Sequence, residues 1–588
     1  MVLLATDKRE SIFQWQVTPA YRDLLLSPEG LRLDGWLSSG AAQKVKHGPH
    51  RTVYRVDLPG LSFYLKHNRL PNTRAWLRGL LRPSKARLEY DRAMDVAARG
   101  VPTITPLGIG ETHGWKPGES WLITLALEDC EPLSSFLEST LPGFPLARQT
   151  RLRQRIATAL ATLIARMHDA GIWHNDLHAG NLLICVEKDD LPALFLVDLH
   201  AVRIGRPLGW RASRANLVLL NHWFSMRANR ADRLRFWKGY CRARADSGTV
   251  PFLAVLGLNR RDDHRLAKEL ERLTWKSNLR FWRNRDRRCL VNNRYYQKLI
   301  RKESDGLPGI DGMIATDLDR QAMQALLTSP QEPFRQAGTV LLKDSRSSTV
   351  TAMALPVNDI LCPVIYKRFI GTRHWRDWLA DLLRRLPALS SWINGHGLRE
   401  RCLPSPRPLA AFRSYEGLSN LDGYLLTVKI PDAVDLHRFV AGLGRLPPLE
   451  CRAALRHSID QLARLVREMH RRRASHRDLK AVNILVQRPK ADFPKLNVDF
   501  GPFWLIDLVG VRFHRWLSNG RKVKNLARLH ASFHAHPGLT RSDKLRFLRV
   551  YLQWGLFGRS EWKIWWREIE KATLAKVARN QRSGRPLA

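Results

Sequence analysis

The sequence of 588 residues predicts an α+β chain folded as two tandem bilobal units, each with a small antiparallel sheet and a larger helical lobe. Three observations predict it. The pattern H-x-D-x-x-x-x-N occurs at His174–Asn181 and again at His476–Asn483, its aspartates 302 residues apart. Each copy follows an apolar helical run ending in Met-His (Met167-His168, Met469-His470) and precedes an apolar strand ending in aspartate (Asp198, Asp507). Similar offsets recur far from the motif: Thr73-Arg74-Ala75-Trp76 matches Thr372-Arg373-His374-Trp375, and Arg230–Phe236 matches Arg541–Phe547. A repeat of that length marks duplicated units. Length alone suggests three or four domains of ~150 residues, but two near 300 fit the repeat better. The units are expected at residues 1–260 and 261–588, near the place where Asp246-Ser247-Gly248-Thr249-Val250-Pro251 breaks helical patterning.

In the first unit, Lys44–Val56 reads as strand, loop, strand, and Leu61–Lys66 as the next strand after a Pro59-Gly60 turn. Gly48 is the glycine of the loop before them. Ser84–Gly100 has the pattern of a helix ending at Gly100-Val101-Pro102, with Glu89 inside it. Arg151–Ala170 repeats apolar residues at Leu152, Ile156, Leu160, Leu163-Ile164 and Met167, so the following loop hangs from an amphipathic helix. Strand Leu194–Val197 ends at Asp198, and Leu199-His200 follows. A new helix begins near Arg214, and no A-P-E motif intervenes.

The second unit repeats this order with substitutions. Lys367 closes Val364–Lys367, 111 residues before Asp478, as Lys66 stands 110 before Asp176. Ser345, Ser347 and Ser348 occupy the loop where Gly48 stands, the usual residues of a surface turn. Aligning Arg401-Cys402-Leu403-Pro404 with Arg99-Gly100-Val101-Pro102 puts Ser391 opposite Glu89. Asp478, Asn483 and Asp507 are kept, and Lys480 replaces His178.

That spacing suits phosphoryl transfer. The loop must set one carboxylate beside an attacking hydroxyl and an amide oxygen, five residues on, beside a magnesium ion. Asp176 and Asp478 are the candidate bases, and Lys480 is placed to neutralise the phosphoryl group in flight. Asn181 with Asp198, and Asn483 with Asp507, supply the hard oxygen donors that Mg2+ prefers. Lys66 oriented by Glu89, Gly48, and Lys367 are the candidates for gripping the phosphates of ATP.

Composition narrows the partners. A formal charge of +43 points either to solvated basic faces or to an anionic partner. The basic stretch Lys66, Arg69, Arg74, Arg78, Arg82, Lys85 and Arg87, interleaved with Trp76 and Leu80-Leu81, suits an anionic membrane surface or lipid. Trp562, Trp565 and Trp566 share one helix face, an arrangement more often core than membrane anchor. Neither an RNP motif nor a zinc-finger spacing is present, so no specific nucleic acid is expected. Seven scattered cysteines without C-x-x-C pairs indicate neither a disulfide framework nor a zinc site, and a reducing compartment is expected. The first ten residues turn charged too early for a signal peptide, and no apolar run approaches the ~18–20 residues that span a bilayer.

With these residues in hand, the chain resembles the lipopolysaccharide kinase family, the Kdo and heptose kinases of the protein-kinase-like superfamily. In the first unit the resemblance rests on Phe63-Tyr64-Leu65-Lys66, Glu89, Gly100-Val101-Pro102, His174-Asn175-Asp176-Leu177-His178 and Val197-Asp198-Leu199-His200. It implies transfer of the terminal phosphate of ATP to a sugar hydroxyl of an anionic glycolipid, in the cytoplasm or peripherally on the inner face of the cytoplasmic membrane. It also implies Asp176 as base, Asn181 and Asp198 on magnesium, and Lys66 with Glu89 on the phosphates. The second unit's His476-Arg477-Asp478-Leu479-Lys480 looks equally like a protein kinase. Two other readings stand beside this one: a protein or small-molecule kinase whose second copy is partly degenerate, and a non-catalytic nucleotide-binding scaffold.

Overall fold

The computed structural model describes residues 13–48, 51–70, 76, 80, 82–113, 117–187, 189–246, 260–304, 307–336, 339–371, 386–415, 422–488, 502–552 and 561–584. The repeated Thr73-Arg74-Ala75 and Thr372-Arg373-His374-Trp375 and the break at 247–251 lie outside the described residues. The chain divides into two compact units, Met1–Asn278 and Leu279–Ala588.

Alternation of apolar and polar residues builds the first sheet. Its strands are β1 (Phe13–Val17), β2 (Ala42–Lys46), β3 (Arg51–Leu58), β4 (Leu61–Asn68), β5 (Pro106–Thr112) and β6 (Ser120–Leu125), antiparallel in the order β1-β5-β6-β4-β3-β2. In β4, Leu61, Phe63 and Leu65 are buried while Ser62, Tyr64 and Lys66 are half-buried, the period-two signature of a strand. Phe63 and Leu65 join Val56, Trp36 and Ile123 in one core on that face. Burying each such side chain contributes about 1.5–3 kcal/mol, so the register cannot slip without exposing the set. Lys66 is thereby held on the opposite face.

Helix α1 (Lys85–Ala98) covers that face. Ser84 caps it, its Oγ accepting the Arg87 N–H at 3.0 Å, and it stops at Gly100, whose φ of +73° suits glycine. Its buried stripe is Ala86, Glu89, Ala93 and Val96, so one acid faces inward. The helical lobe is built on α2 (Leu146–Asp169), whose inward residues include Leu152, Ile156, Leu160, Ile164 and Met167, with α3 (Trp210–Arg227) and α4 (Arg230–Asp246) contributing Leu217, Leu220, Trp237 and Tyr240 to the same core. Helix α5 (Arg260–Arg288) runs through the division between the units.

The second unit repeats the plan. Its sheet runs β7-β8-β12-β13-β11-β10-β9, with β7 at Tyr296–Arg301, β8 at Gly309–Ala315, β9 at Leu341–Ser345, β10 at Ser348–Val357, β11 at Ile360–Phe369, β12 at Pro408–Tyr415 and β13 at Asp422–Val428. Lys66 lies between Val53 and Leu122 in the first sheet, and Lys367 lies between Val350 and Leu425 in the second, the same register. Helices α6 (Pro387–Glu400), α7 (Pro448–Arg471), α8 (Asn519–Ala531), α9 (Arg541–Leu552) and α10 (Glu561–Arg582) follow. Cys402, at φ +50°, ends α6 where Gly100 ends α1. Trp562, Trp565 and Trp566 pack against the core of this lobe.

One expectation is corrected. Cys130 and Cys185 face each other across paired strands Cys130–Pro132 and Leu182–Val186 and form a disulfide, their Cα atoms 4.4 Å apart. Cysteines 55 residues apart meet only through strand register, which spacing does not reveal.

Candidate active site

The H-x-D loops are fixed by their histidines. In the first unit the ring of His174 bonds the Val197 carbonyl through Nε2 at 3.2 Å, and its Nδ1 accepts the Asp176 N–H at 3.2 Å. One buried ring therefore ties the loop to the strand end that carries Asp198. His476 does the same between Ile506 and Asp478, at 2.9 and 3.3 Å. Burial keeps both imidazoles below their ordinary pKa, hence neutral and able to accept at one nitrogen. Deeper still, His168 lies between the Tyr240 hydroxyl at 2.8 Å and Asn216 Oδ1 at 3.2 Å, and Asn216 Nδ2 donates to the His174 carbonyl at 2.7 Å. His470, Tyr551 and Asn525 form the counterpart at 2.8 and 3.1 Å.

Both strand-end aspartates adopt left-handed backbone conformations, Asp198 at φ 61° and Asp507 at φ 54°. Such positions cost an L-residue roughly 1–2 kcal/mol and concentrate at functional sites. Each is followed by a short 3-10 turn, Leu199–Ala201 and Leu508–Gly510.

In the first unit the charged groups converge. Lys66 Nζ donates to Glu89 Oε1 at 2.5 Å, and Arg51 Nη2 reaches Glu89 Oε2 at 3.4 Å while its Nη1 lies 3.8 Å from Asp198 Oδ1. His200 Nδ1 bonds Asp198 Oδ1 at 2.8 Å. Burial disfavours ionised Asp198, but the His200 bond, Arg51 and Lys66 outweigh it and bring its pKa down to about 2. Ligand atoms of Glu89, Asp198 and His200 all lie within 4.8 Å of one another. Asn181 Nδ2 is spent on the Asp176 carbonyl at 2.8 Å, so its oxygen is the atom left for a cation. Gly48 sits in the turn before β3, its carbonyl accepting the Arg51 N–H at 3.3 Å, and it brings no side chain to the cluster.

The second unit differs where the sequence differs. Lys367 Nζ donates directly to Asp507 Oδ1 at 2.9 Å. Ser391, opposite Glu89, is buried and returns its hydroxyl to the Pro387 carbonyl at 2.9 Å, so this helix position offers the lysine no acid. Burial works against the Asp507 carboxylate, but Lys367 and more distant Lys343 hold its pKa below the ordinary value. Asn483 Nδ2 donates to both the carbonyl and Oδ2 of Asp478, at 2.8 and 2.9 Å, and Lys480 Nζ stands 3.8 Å from the same Oδ2. In the first unit His178 Nε2 lies 3.6 Å from Asp176 Oδ2. Ser345 Oγ closes an ordinary turn on the Ser348 carbonyl.

Sequence reasoning missed Arg51, which bridges Glu89 and Asp198, and Lys343. Neither lies in a motif, and each reaches the site because hairpin register places it near the lysine. His200 was visible only as part of D-L-H, without its bond to Asp198.

A sheet carrying a lysine over a helical lobe carrying an H-x-D loop and a strand-end aspartate is the protein-kinase-like fold, here present twice. The family model for "Lipopolysaccharide kinase (Kdo/WaaP) family" matches residues 49–240 and 355–551, more than half of the chain. The chain belongs to that family. Among curated relatives, the lipopolysaccharide core heptose(I) kinase WaaP of Escherichia coli K12 is 27% identical over 172 residues, covering 27% of this chain and 63% of that protein. The protein of the same name from Pseudomonas aeruginosa is 28% identical over 207 residues, covering 33% and 74%. The 3-deoxy-D-manno-octulosonic acid kinase of Actinobacillus succinogenes is 33% identical over 146 residues, covering 23% and 49%. The match therefore spans a little under two thirds of the first relative and about half of the last. A solved structure titled "WaaP in complex with acyl carrier protein" aligns over 45% of this chain and 98% of its own, at 23% identity and a TM-score of 0.32.

Proposed function

We propose that each unit transfers the terminal phosphoryl group of ATP to a sugar hydroxyl of a lipopolysaccharide-type inner core. The observation that carries the reading is the 2.5 Å Lys66–Glu89 pair held beside Asp198, the arrangement that aligns a nucleotide's phosphates with a cation ligand. Asp176 takes the proton of the acceptor hydroxyl as its oxygen bonds to the γ-phosphorus, and the bond from that phosphorus to the β,γ-bridging oxygen breaks to release ADP. Asp198 and the Asn181 oxygen are hard donors and would hold Mg2+, which neutralises charge on the phosphates. Asp478, Asn483, Asp507 and Lys367 take the same parts in the second unit, and Lys480 steadies the moving phosphoryl group. Names of relatives at 26–33% identity support a sugar acceptor. Net charge and the absence of a spanning helix among the described residues fit a protein that meets its acceptor at an anionic membrane face.

The test is radiolabelled phosphate transfer to inner-core oligosaccharide. Asp176→Asn should abolish the first unit's share and Asp478→Asn the second's, each with nucleotide binding largely kept. Turnover that persists in the double variant rejects the assignment.

A further inference from the structure

We propose that the turn between Phe513 and Leu517 of the second unit, led by Trp516, is the surface on which the chain docks to an anionic phospholipid bilayer, an inference that rests on the membrane-face reading above. The turn is built as a protrusion. Strand Ala474–His476 pairs antiparallel with Val511–Phe513, Ala474 opposite Phe513. Leu517 is buried on one side of the turn, and on the other the Arg401 guanidinium carbon lies 3.7 Å from the Phe513 ring centre. Between these two anchors Arg515 and Trp516 are pushed outward, and Trp516 is 76% exposed. Arg512, which alternates with buried Val511 along the strand, and Arg521, in the first turn of α8, are exposed as well.

Hydrogen bonds hold the turn in shape. The His514 ring accepts from Arg521 Nη1 at 2.7 Å and bonds Ser475 Oγ through Nε2 at 2.7 Å. Burial, then Arg521 and Arg512, keep that imidazole below its ordinary pKa, so it is neutral and able to accept. The Arg473 guanidinium donates to the Arg515 carbonyl, and the His514 N–H donates to the Arg473 carbonyl at 2.9 Å. Arg473 does this at φ +57°, a left-handed conformation that is costly for a residue with a side chain. A contact surface ordered in advance loses less freedom on binding.

The first unit lacks this tip. His174 pairs with Val202 as His476 pairs with Val511, which sets the correspondence. On that register Pro207 stands for Trp516, Gly205 for His514, Ala212 for Arg521 and Gly171, at φ +73°, for Arg473. The second unit thus carries a strained arginine where the first has an unstrained glycine, and an exposed tryptophan where the first has a proline.

What fits such a tip is a flat anionic surface. Residues 508–541 include seven lysines and arginines and no aspartate or glutamate, so the tip's charge has no acid beside it along the chain. Guanidinium forks fit lipid phosphates, each basic side chain near an anionic leaflet adds attraction, and an indole settles at headgroup level with its ring in apolar surroundings and its N–H wet. A projection meets a bilayer without needing a matching cavity, whereas single-stranded nucleic acid is held in a groove lined by stacked aromatics.

The experiment sediments the full chain at low salt with phosphatidylcholine vesicles that carry or lack phosphatidylglycerol. Binding to the anionic vesicles should weaken about tenfold for Trp516→Ala and for the Arg512→Gln/Arg515→Gln pair, and stay within about threefold for Trp516→Phe. Removing the same charge from the first unit, Arg203→Gln with Arg206→Gln, should leave binding within about twofold. Second-unit transfer to soluble inner-core oligosaccharide, read in the Asp176→Asn chain, should not respond to Trp516→Ala; an equal loss there would make the residue part of the transfer site and overturn the docking role. The proposal is likewise overturned, with the membrane-face reading left standing, if Trp516→Ala and the Arg512/Arg515 pair bind vesicles as the parent does, or if the first-unit pair weakens binding as much. Substitutions that remove binding to a single-stranded oligonucleotide while vesicle binding persists overturn it too. A parent chain that binds no anionic vesicle removes the membrane-face reading and the proposal together, and leaves the phosphotransfer assignment untouched.

Discussion

Two lysines in one register have different partners, and a single side chain decides which. Glu89, 3% exposed, draws Lys66 onto itself; with Ser391 in its place, Lys367 goes to Asp507 instead. The first lysine is thus held by the helix acid, whereas the second is paired with the strand-end acid. We expect Glu89→Gln to lower the first unit's kcat about 100-fold, the scale of losing one aligned electrostatic contact, measured in the Asp478→Asn chain. Second-unit turnover, measured in the Asp176→Asn chain, should not respond to it. Lys66, Glu89 and Asp198 were legible as residues because strand, helix and motif order locate them. Arg51 was not, since a guanidinium at a turn exit carries no pattern; its role emerges only from distances of 3.4 and 3.8 Å.

At the scale of elements, the long helices α2 and α7 hold the loops through buried histidines. Burial drives His168 down to about 3 and His470 down to about 4. The unfolded chain binds protons on both below about pH 6.5, while the folded chain refuses them until far lower pH. Their contribution is therefore complete above pH 6.5 and is lost progressively as pH falls toward 3–4. Urea unfolding between pH 7 and 4.5 should show stability dropping with acid, and His168→Gln should flatten that slope for the first unit while lowering its stability at pH 7. Helical periodicity predicted these helices well, because their apolar stripes are regular. The Cys130–Cys185 pairing escaped prediction, because it joins elements whose meeting depends on tertiary packing.

For the whole molecule, the excess positive charge sits on two units of one plan, each assembling its own lysine, loop and acid. The tryptophan stripe of α10 packs against the core, so attraction to a membrane would not draw on that stripe and would rest first on charge. Co-sedimentation with vesicles should accordingly require anionic lipid and fall steeply between low salt and 0.5 M salt, where screening confines such attraction to a few ångströms. Binding to neutral vesicles, or binding indifferent to salt, would contradict it. The left-handed aspartates carry a practical warning for anyone surveying variants of this chain. Glycine at 198 or 507 relieves backbone cost and so offsets part of the stability lost with the carboxylate's ion pairs, and a melting assay would understate the change. Only an assay of transfer would expose the damage.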